Sequence, residues 1–409
     1  MPMEVPVWSE NEKEEDELDE EVRLTQEGGE QEWAIDSKRK WQCQKLLHQY
    51  GCLLGVWKCN INPYGGLVHI RISPGKIEAV DCRAPFDPDI KCSLRPKVIF
   101  DVRIQGGKVA VMCYSDWDNG SHSANLMVEE TAEGKGPQFY LKCNSCSNHE
   151  IPSDRDEGMG VLRKWLKEEY NNENLLFFQP HMVQLVLMKY MTMHSLHKHP
   201  LTFEALEFQK CSRDSIILTP GVFKGTYSSH GVELVMVTIE DQRIIATKLT
   251  VRQQVVDSHA PEEFSKMSTV PLLARTQRDV NVPTGGRTMV TLFLLTNPQG
   301  DPNVPAGEVT FDVDLSRPVT DDGQPPAEAG SCQARELHLP QAYEARYRNY
   351  PPTYRARYHG KGQIASHGFV SPQWTPGHFV LFNDDMFGFL WLELLAFSVY
   401  SRTTEPFLR

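Results

Sequence analysis

Two short loops carry side chains able to bind a metal. The stretch "CNSCSNH" holds Cys143, Cys146 and His149 within seven residues, and "CYSDWDNGSH" upstream holds Cys113 and His122. A tetrahedral site of two thiolates and two imidazoles is met by two such pairs, each closing a short loop. The spacing is not that of a helical zinc finger, so a polar loop with ordinary thiols stands as the alternative. Ligation would also keep a loop rich in Asp, Asn, Gly and Ser ordered.

A second pattern is a rhyme. Residues 225–231 read "GTYSSHG" and residues 362–368 read "GQIASHG". The adjacent pairs Ser229–His230 and Ser366–His367 invite comparison with a nucleophile and its base. In an extended chain, however, neighbouring side chains point to opposite faces. A triad needs the base within hydrogen-bond reach of the nucleophile, and no Gly-x-Ser-x-Gly elbow occurs. The residues argue against a hydrolase. They read as two related turns into strands, with glycine supplying positive φ; a polar pocket rim is the functional alternative. "HSLHKHP" places His194, His197 and His199 at a helix end, where solvated imidazolium would complement the helix dipole. "GDPNVPAG" puts Asp301 before a proline, which by local chemistry is a turn.

These residues must be held by elements that hydrophobic periodicity outlines. "SKRKWQCQKLLHQY" (37–50) is helical, with Cys43, Leu46, Leu47 and Tyr50 on one face. "LVHIRISPGKIEAVDC" and "KVIFDVRIQGGKVAVMC" alternate around Pro74–Gly75 and Gly106–Gly107 as hairpins do. "VLRKWLKEEY" and "HMVQLVLMKYMTM" are helices. Strands return in "VELVMVTIEDQRIIATKL" and in "EVTFDVDLS". "HFVLFNDDMFGFLWLELLAFSVYS" reads as a hairpin turning at Asn383–Asp385.

The fold class expected is α+β, mainly antiparallel β: a β-barrel-like domain with added helices and a small metal-stabilised loop region. It divides into an acidic disordered tail (1–36), a first part of the β domain (37–250, with the loop region at 113–149) and an irregular insert (251–299). A continuation (300–317), a flexible linker (318–345) and a C-terminal β part (346–409) follow.

Charge narrows the function. Residues 1–32 carry thirteen Asp/Glu and two Lys/Arg, leaving 41 acids and 40 bases for the rest. The acidity is a tail that buries too little apolar surface to order itself. A nearly neutral body argues against nucleic-acid binding. No apolar run reaches the length of a membrane span, and the start lacks the layout of a signal peptide. Ten scattered cysteines then indicate free thiols or metal ligands in a reducing compartment.

Several long stretches together resemble the substrate-binding region of the F-box only protein 31 family. They are "KLLHQYGCLLGVW" with "NPYGG" (45–66), "PGVFKGTYSSHGVELVMV" (220–237), "GDPNVPAGEVTFDVDL" (300–315) and "GQIASHGFVSPQWTPGHFVLFNDDMFGFLWLELLAFSVYSR" (362–402). The resemblance implies a non-enzymatic substrate receptor of an SCF-type cullin–RING ubiquitin ligase, with a structural zinc. It implies binding of target C-termini, including D-type cyclins and chains ending in a primary amide. It also implies a Skp-family adaptor and a cullin as partners, and a cytoplasmic setting extending to nucleus or centrosome. Carried over residue by residue, the zinc ligands are Cys113, His122, Cys143 and His149, with Cys146 a bystander. Asp301 falls on the terminus-reading aspartate. A carboxylate accepts the two hydrogen bonds that a terminal –CONH₂ donates, whereas a terminal carboxylate meets like charge. Lys224, Ser229, His230, Ser366 and His367 are the further pocket candidates.

This sequence departs from the family pattern twice. No F-box helices are read before residue 40, so a binding protein that sequesters the same targets is the alternative function. Residues 251–299 interrupt the pattern between "ATKLT" and "GDPN". They begin with Val and end with Gln, as a translated intron bounded by GT and AG would.

Overall fold

The computed structural model describes residues 41, 43–87, 89–115, 120–129, 136–145, 149, 151–178, 180–195, 200–209, 217–226, 231–251, 304–319, 335–339, 350–366 and 369–408. The acidic tail and the strand expected in "TMVTLFLL" lie outside them, as do residues 252–299 of the expected insert and 300–303 of the expected continuation.

The first half forms a closed antiparallel barrel of eight strands in sequential order. These are β1 (Gly55–Cys59), β2 (Leu67–Ser73), β3 (Lys76–Arg83), β4 (Arg95–Gln105), β5 (Lys108–Cys113), β6 (His122–Glu129), β7 (Gln138–Cys143) and β8 (Leu201–Ala205). The predicted hairpins are β2–β3 and β4–β5; Gly75, Gly106 and Gly107 take φ of 75°, 58° and 74°, the region open to glycine. β1 pairs with β8 through Trp57 and Ala205 and so closes the barrel. Its interior is filled by Trp57, Phe100, Phe139 and Phe203, with the rings of Phe139 and Phe203 stacked 4.5 Å apart.

Helix α1 (43–50) plugs one end of this barrel with Leu46 and Tyr50. Cys43, expected on its apolar face, is exposed. The connection from β7 to β8 leaves the opposite end and carries α2 (Arg155–Tyr170) and α3 (Pro180–Ser195). Asp154 caps α2 by accepting from the amides of Asp156 and Glu157, and Asn171 ends it in a left-handed conformation. The predicted stripe of Leu162, Trp165, Leu166 and Tyr170 is buried against Val186 and Tyr190 of α3.

The second half forms another closed eight-stranded barrel. Its strands are β9 (Gly221–Thr226), β10 (Val232–Glu240), β11 (Arg243–Lys248), β12 (Val309–Pro318), β15 (Ala356–Ser366), β16 (Val370–Asn383), β17 (Met386–Trp391) and β18 (Ala396–Arg402). Between β12 and β15, the short strands β13 (Arg335–Glu336) and β14 (Thr353–Tyr354) pair with each other. Part of the stretch expected as a linker is thus ordered, because Leu337 and Leu339 pack against the cluster around Tyr354 and Phe382. The stretch "HFVLFNDDMFGFLWLELLAFSVYS" is three strands rather than one hairpin, since Leu392 to Leu395 turn the chain again before β18.

The mainly antiparallel β fold is as the sequence led us to expect; its division into two closed barrels is a finding of the structure. The barrels pack through their outer faces. Val56, Leu67 and Cys82 of the first form one cluster with Val222, Leu234 and Met236 of the second. The chain then returns to the first barrel: Phe407 stacks on His69 at 3.9 Å, and Glu405 accepts from the amide of Leu94 at 2.8 Å.

Candidate functional site

Consecutive antiparallel strands bring every second connection to the same end of a barrel. In the first barrel this rule assembles the metal candidates. Cys113 is the last residue of β5, His122 the first of β6 and Cys143 the last of β7; Cys113 pairs directly across from His122. His149 follows six residues after Cys143, on the path toward α2. The four ligand atoms all lie within 4.8 Å of one another. His149 Nε2 is 3.2 Å from Cys143 Sγ, and the rings of His122 and His149 are 4.6 Å apart.

A tetrahedral ion holding two sulfurs and two nitrogens keeps its donors about 3.3–3.8 Å apart. The set therefore fits a metal ion in both composition and spacing. Cys113 is fully buried. Its thiol is held well below the ordinary range by hydrogen bonds from Cys143 first, then from His149 and the Ser115 amide, which favours the ligating thiolate. Cys146 lies outside the described residues. The ligand pairs were legible in the sequence; that they meet follows from three neighbouring strand ends.

In the second barrel the same rule acts on the stretches that rhyme. β9 and β10 form a hairpin in which Thr226 pairs with Val232. β15 and β16 form another in which Ser366 pairs with Val370. Both stretches are therefore hairpin connections of one barrel. Gly231 and Phe369 carry their positive φ, at 80° and 64°. Lys248 and Val309, the strand ends flanking the connection that contains Asp301, stand at that same end of the barrel. There the Gly307 amide donates to the Lys248 carbonyl at 2.7 Å. Asp301, Ser229, His230 and His367 lie outside the described residues, as does the side chain of Ser366.

Lys224 is described, and it is enclosed between the barrels, donating to the carbonyl of Cys92 at 2.8 Å. Burial lowers its pKa. This candidate stands behind the barrel wall rather than at a surface, because it alternates with the pore-facing Phe223 and so points to the junction. His194, expected as a solvated imidazolium, is also buried: its Nδ1–H donates to the Tyr190 carbonyl at 2.6 Å. His197 and His199 lie outside the described residues.

The two loop-bearing barrel ends meet. Gly65 bridges to Thr250, the Val251 amide donates to Tyr64 and the Ala306 amide to Pro63. Phe369 packs edge-on to Tyr64 at 6.3 Å. Gly65 is required here, since a Cβ would stand 2.2 Å from the Leu249 carbonyl oxygen. Beside this junction, under α2 and α3, lies a cavity of about 150 Å³ lined by Tyr64, Thr250, Val251 and Trp165 among others. Nothing local in the sequence marks it, because its walls come from residues 59 to 251. No helix of the described residues is long and apolar enough to cross a membrane.

Comparison with known proteins defines the class. A family model described as the cyclin D1 binding domain matches residues 203–406, which contain the whole second barrel. F-box only protein 31 of Homo sapiens is 32% identical over 392 residues, covering 89% of this chain and 70% of that protein. The Mus musculus protein of that name is 32% identical over 388 residues, covering 89% and 71%. F-box only protein 31-A of Xenopus laevis is 30% identical over 380 residues, with coverages of 89% and 71%. The chain belongs to the F-box only protein 31 family.

Proposed function

We propose that this protein is a substrate-recognition subunit of an SCF-type cullin–RING ubiquitin ligase. In this reading it binds the C-terminal ends of target proteins, D-type cyclin tails and C-terminally amidated chains, and has no catalytic residues of its own. The observation that supports it best is topological. The connections containing Ser229–His230, Asp301 and Ser366–His367 all leave from the same end of the barrel that the cyclin D1 binding family model covers. Hydroxyls, imidazoles and one carboxylate carried by these connections are residue types that suit a peptide terminus. Asp301 would accept from the terminal amide.

Zinc is the metal we propose for Cys113, His122, Cys143 and His149, since two thiolates and two imidazoles in a closed set suit structural zinc. When bound, it would tie the helical excursion to the barrel ends. A reducing cytoplasmic or nuclear setting is part of the proposal.

The test is calorimetric titration of the full chain with one peptide, ending either in a carboxamide or in a carboxylate. The amide form is expected to bind tighter, and Asp301→Ala to remove that preference. Equal affinity of mutant and wild type for the amide peptide would remove Asp301 from the site. Co-precipitation with a Skp-family adaptor and a cullin tests delivery. Target binding without those partners would replace the ligase reading with a sequestering protein.

A further inference from the structure

The cavity beside the barrel junction has a wall chemistry that terminus reading does not use. Five cations line it: Arg83, Arg95, Lys97, Lys164 and Lys189. Three carboxylates line it with them, Asp81, Glu168 and Glu169. The lining therefore carries two more positive than negative charges. The carboxylates are shared among the cations rather than matched one to one. Arg83 reaches all three, at 2.8 Å from Asp81, 3.2 Å from Glu168 and 3.3 Å from Glu169. Lys97 also pairs with Glu168, and Lys189 lies 2.6 Å from Glu169. Arg95 donates to the carbonyls of Glu168 and Glu169 at the end of α2. Burial first, and Arg83 next, lower the pKa of Lys97.

A partly enclosed wall with surplus positive charge concentrates anions. Its neighbours Tyr64, Thr250 and Val251 are the residues through which the cavity adjoins the rim of the second barrel. The cavity therefore lies beside that rim, on the side of the first barrel. We propose that the cavity receives an acidic side chain, Asp or Glu, a few residues before the terminus of the bound peptide. This rests on the reading of the rim as a terminus site. It adds a selectivity outside the matched binding domain, on the first barrel and the helices.

The test uses two fluorescein-labelled dodecapeptide amides of one sequence, carrying either Glu or Gln at the positions preceding the last residue. Fluorescence polarisation on the full chain is expected to show the Glu peptide about tenfold tighter at low salt, with the difference shrinking in about 0.5 M NaCl. The double variant Lys97→Gln/Lys164→Gln is expected to cut the difference below about threefold while leaving the Gln peptide unaffected. Equal affinity of the two peptides for the wild-type protein overturns the proposal, as does an undiminished difference in the double variant or no binding of the Glu peptide. If terminus reading alone is wrong, Asp301→Ala changes neither peptide's affinity while the Glu–Gln difference persists, which supports the cavity.

Discussion

The ammonium of Lys248 lies 2.7 Å from the carboxylate of Glu233, and solvent reaches neither side chain. Both point into the second barrel. Lys248 shares a face with Ala246 and Ile244, and Glu233 with Val235 and Val237, all four in the barrel core. The pair thus sits inside the barrel beneath the rim that carries the three connections. Lys248→Met leaves an enclosed carboxylate without this cation, which costs about 3–5 kcal/mol. Replacing both residues, Lys248→Met with Glu233→Leu, is expected to recover most of that loss in urea denaturation.

Gly362 lies under the indole of Trp391, where a Cβ would stand 2.2 Å from the ring. Trp391 is fully buried, and its Nε1–H donates to Ser398 at 3.0 Å, so the ring has little room to retreat. Gly362→Ala is expected to cost about 1–3 kcal/mol by overpacking. A lowered urea midpoint with a changed tryptophan emission spectrum is the expected record.

Metal removal has a sharper signature. Cys143→Ser takes away one of the four candidate ligands that join three strand ends of the first barrel to His149, on the path toward α2. The purified variant is expected to contain no stoichiometric zinc by elemental analysis. A loss of about 3 kcal/mol would lower its Tm by roughly 6–12 °C. A variant as stable as the zinc-loaded wild type, or a wild type indifferent to chelation, would refute a structural metal.

His194 gives a pH dependence. Burial first, with the His149 imidazole adding, holds it down to about 4, while an unfolded imidazole titrates near about 6.5. Between those values the unfolded chain takes up a proton that the folded chain refuses. Stability therefore falls as pH drops through this window and levels off below it. Urea midpoints at a series of pH values are expected to fall more steeply for wild type than for His194→Phe.

Much of this was legible in the sequence. The Leu162–Trp165–Leu166–Tyr170 stripe identified α2, and Pro74–Gly75 and Gly106–Gly107 located two hairpins, because helix periodicity and turn chemistry act over a few residues. The candidate metal ligands stood out as two local pairs for the same reason. His194 was misjudged because its local setting, a polar helix end, says nothing of what packs over it. That Lys224, a pocket candidate, is enclosed between the barrels was not legible, because alternation fixes which face of a strand a residue takes, not what covers that face.

The sequence alone determined the antiparallel β character, the helical additions and a candidate centre among Cys113, His122, Cys143, Cys146 and His149, from which the family resemblance selected four. Only the tertiary structure decided that there are two barrels, since closure depends on pairings such as Trp57 with Ala205 and Tyr400 with Gly225. Partners so distant leave no periodic trace in either strand. It likewise decided that the stretches containing Ser229 and Ser366 are hairpin connections at one barrel end, and that Arg83, Lys97 and Lys189 share a cavity. Adjacency in space there follows from strand order and direction, which local residue patterns do not encode.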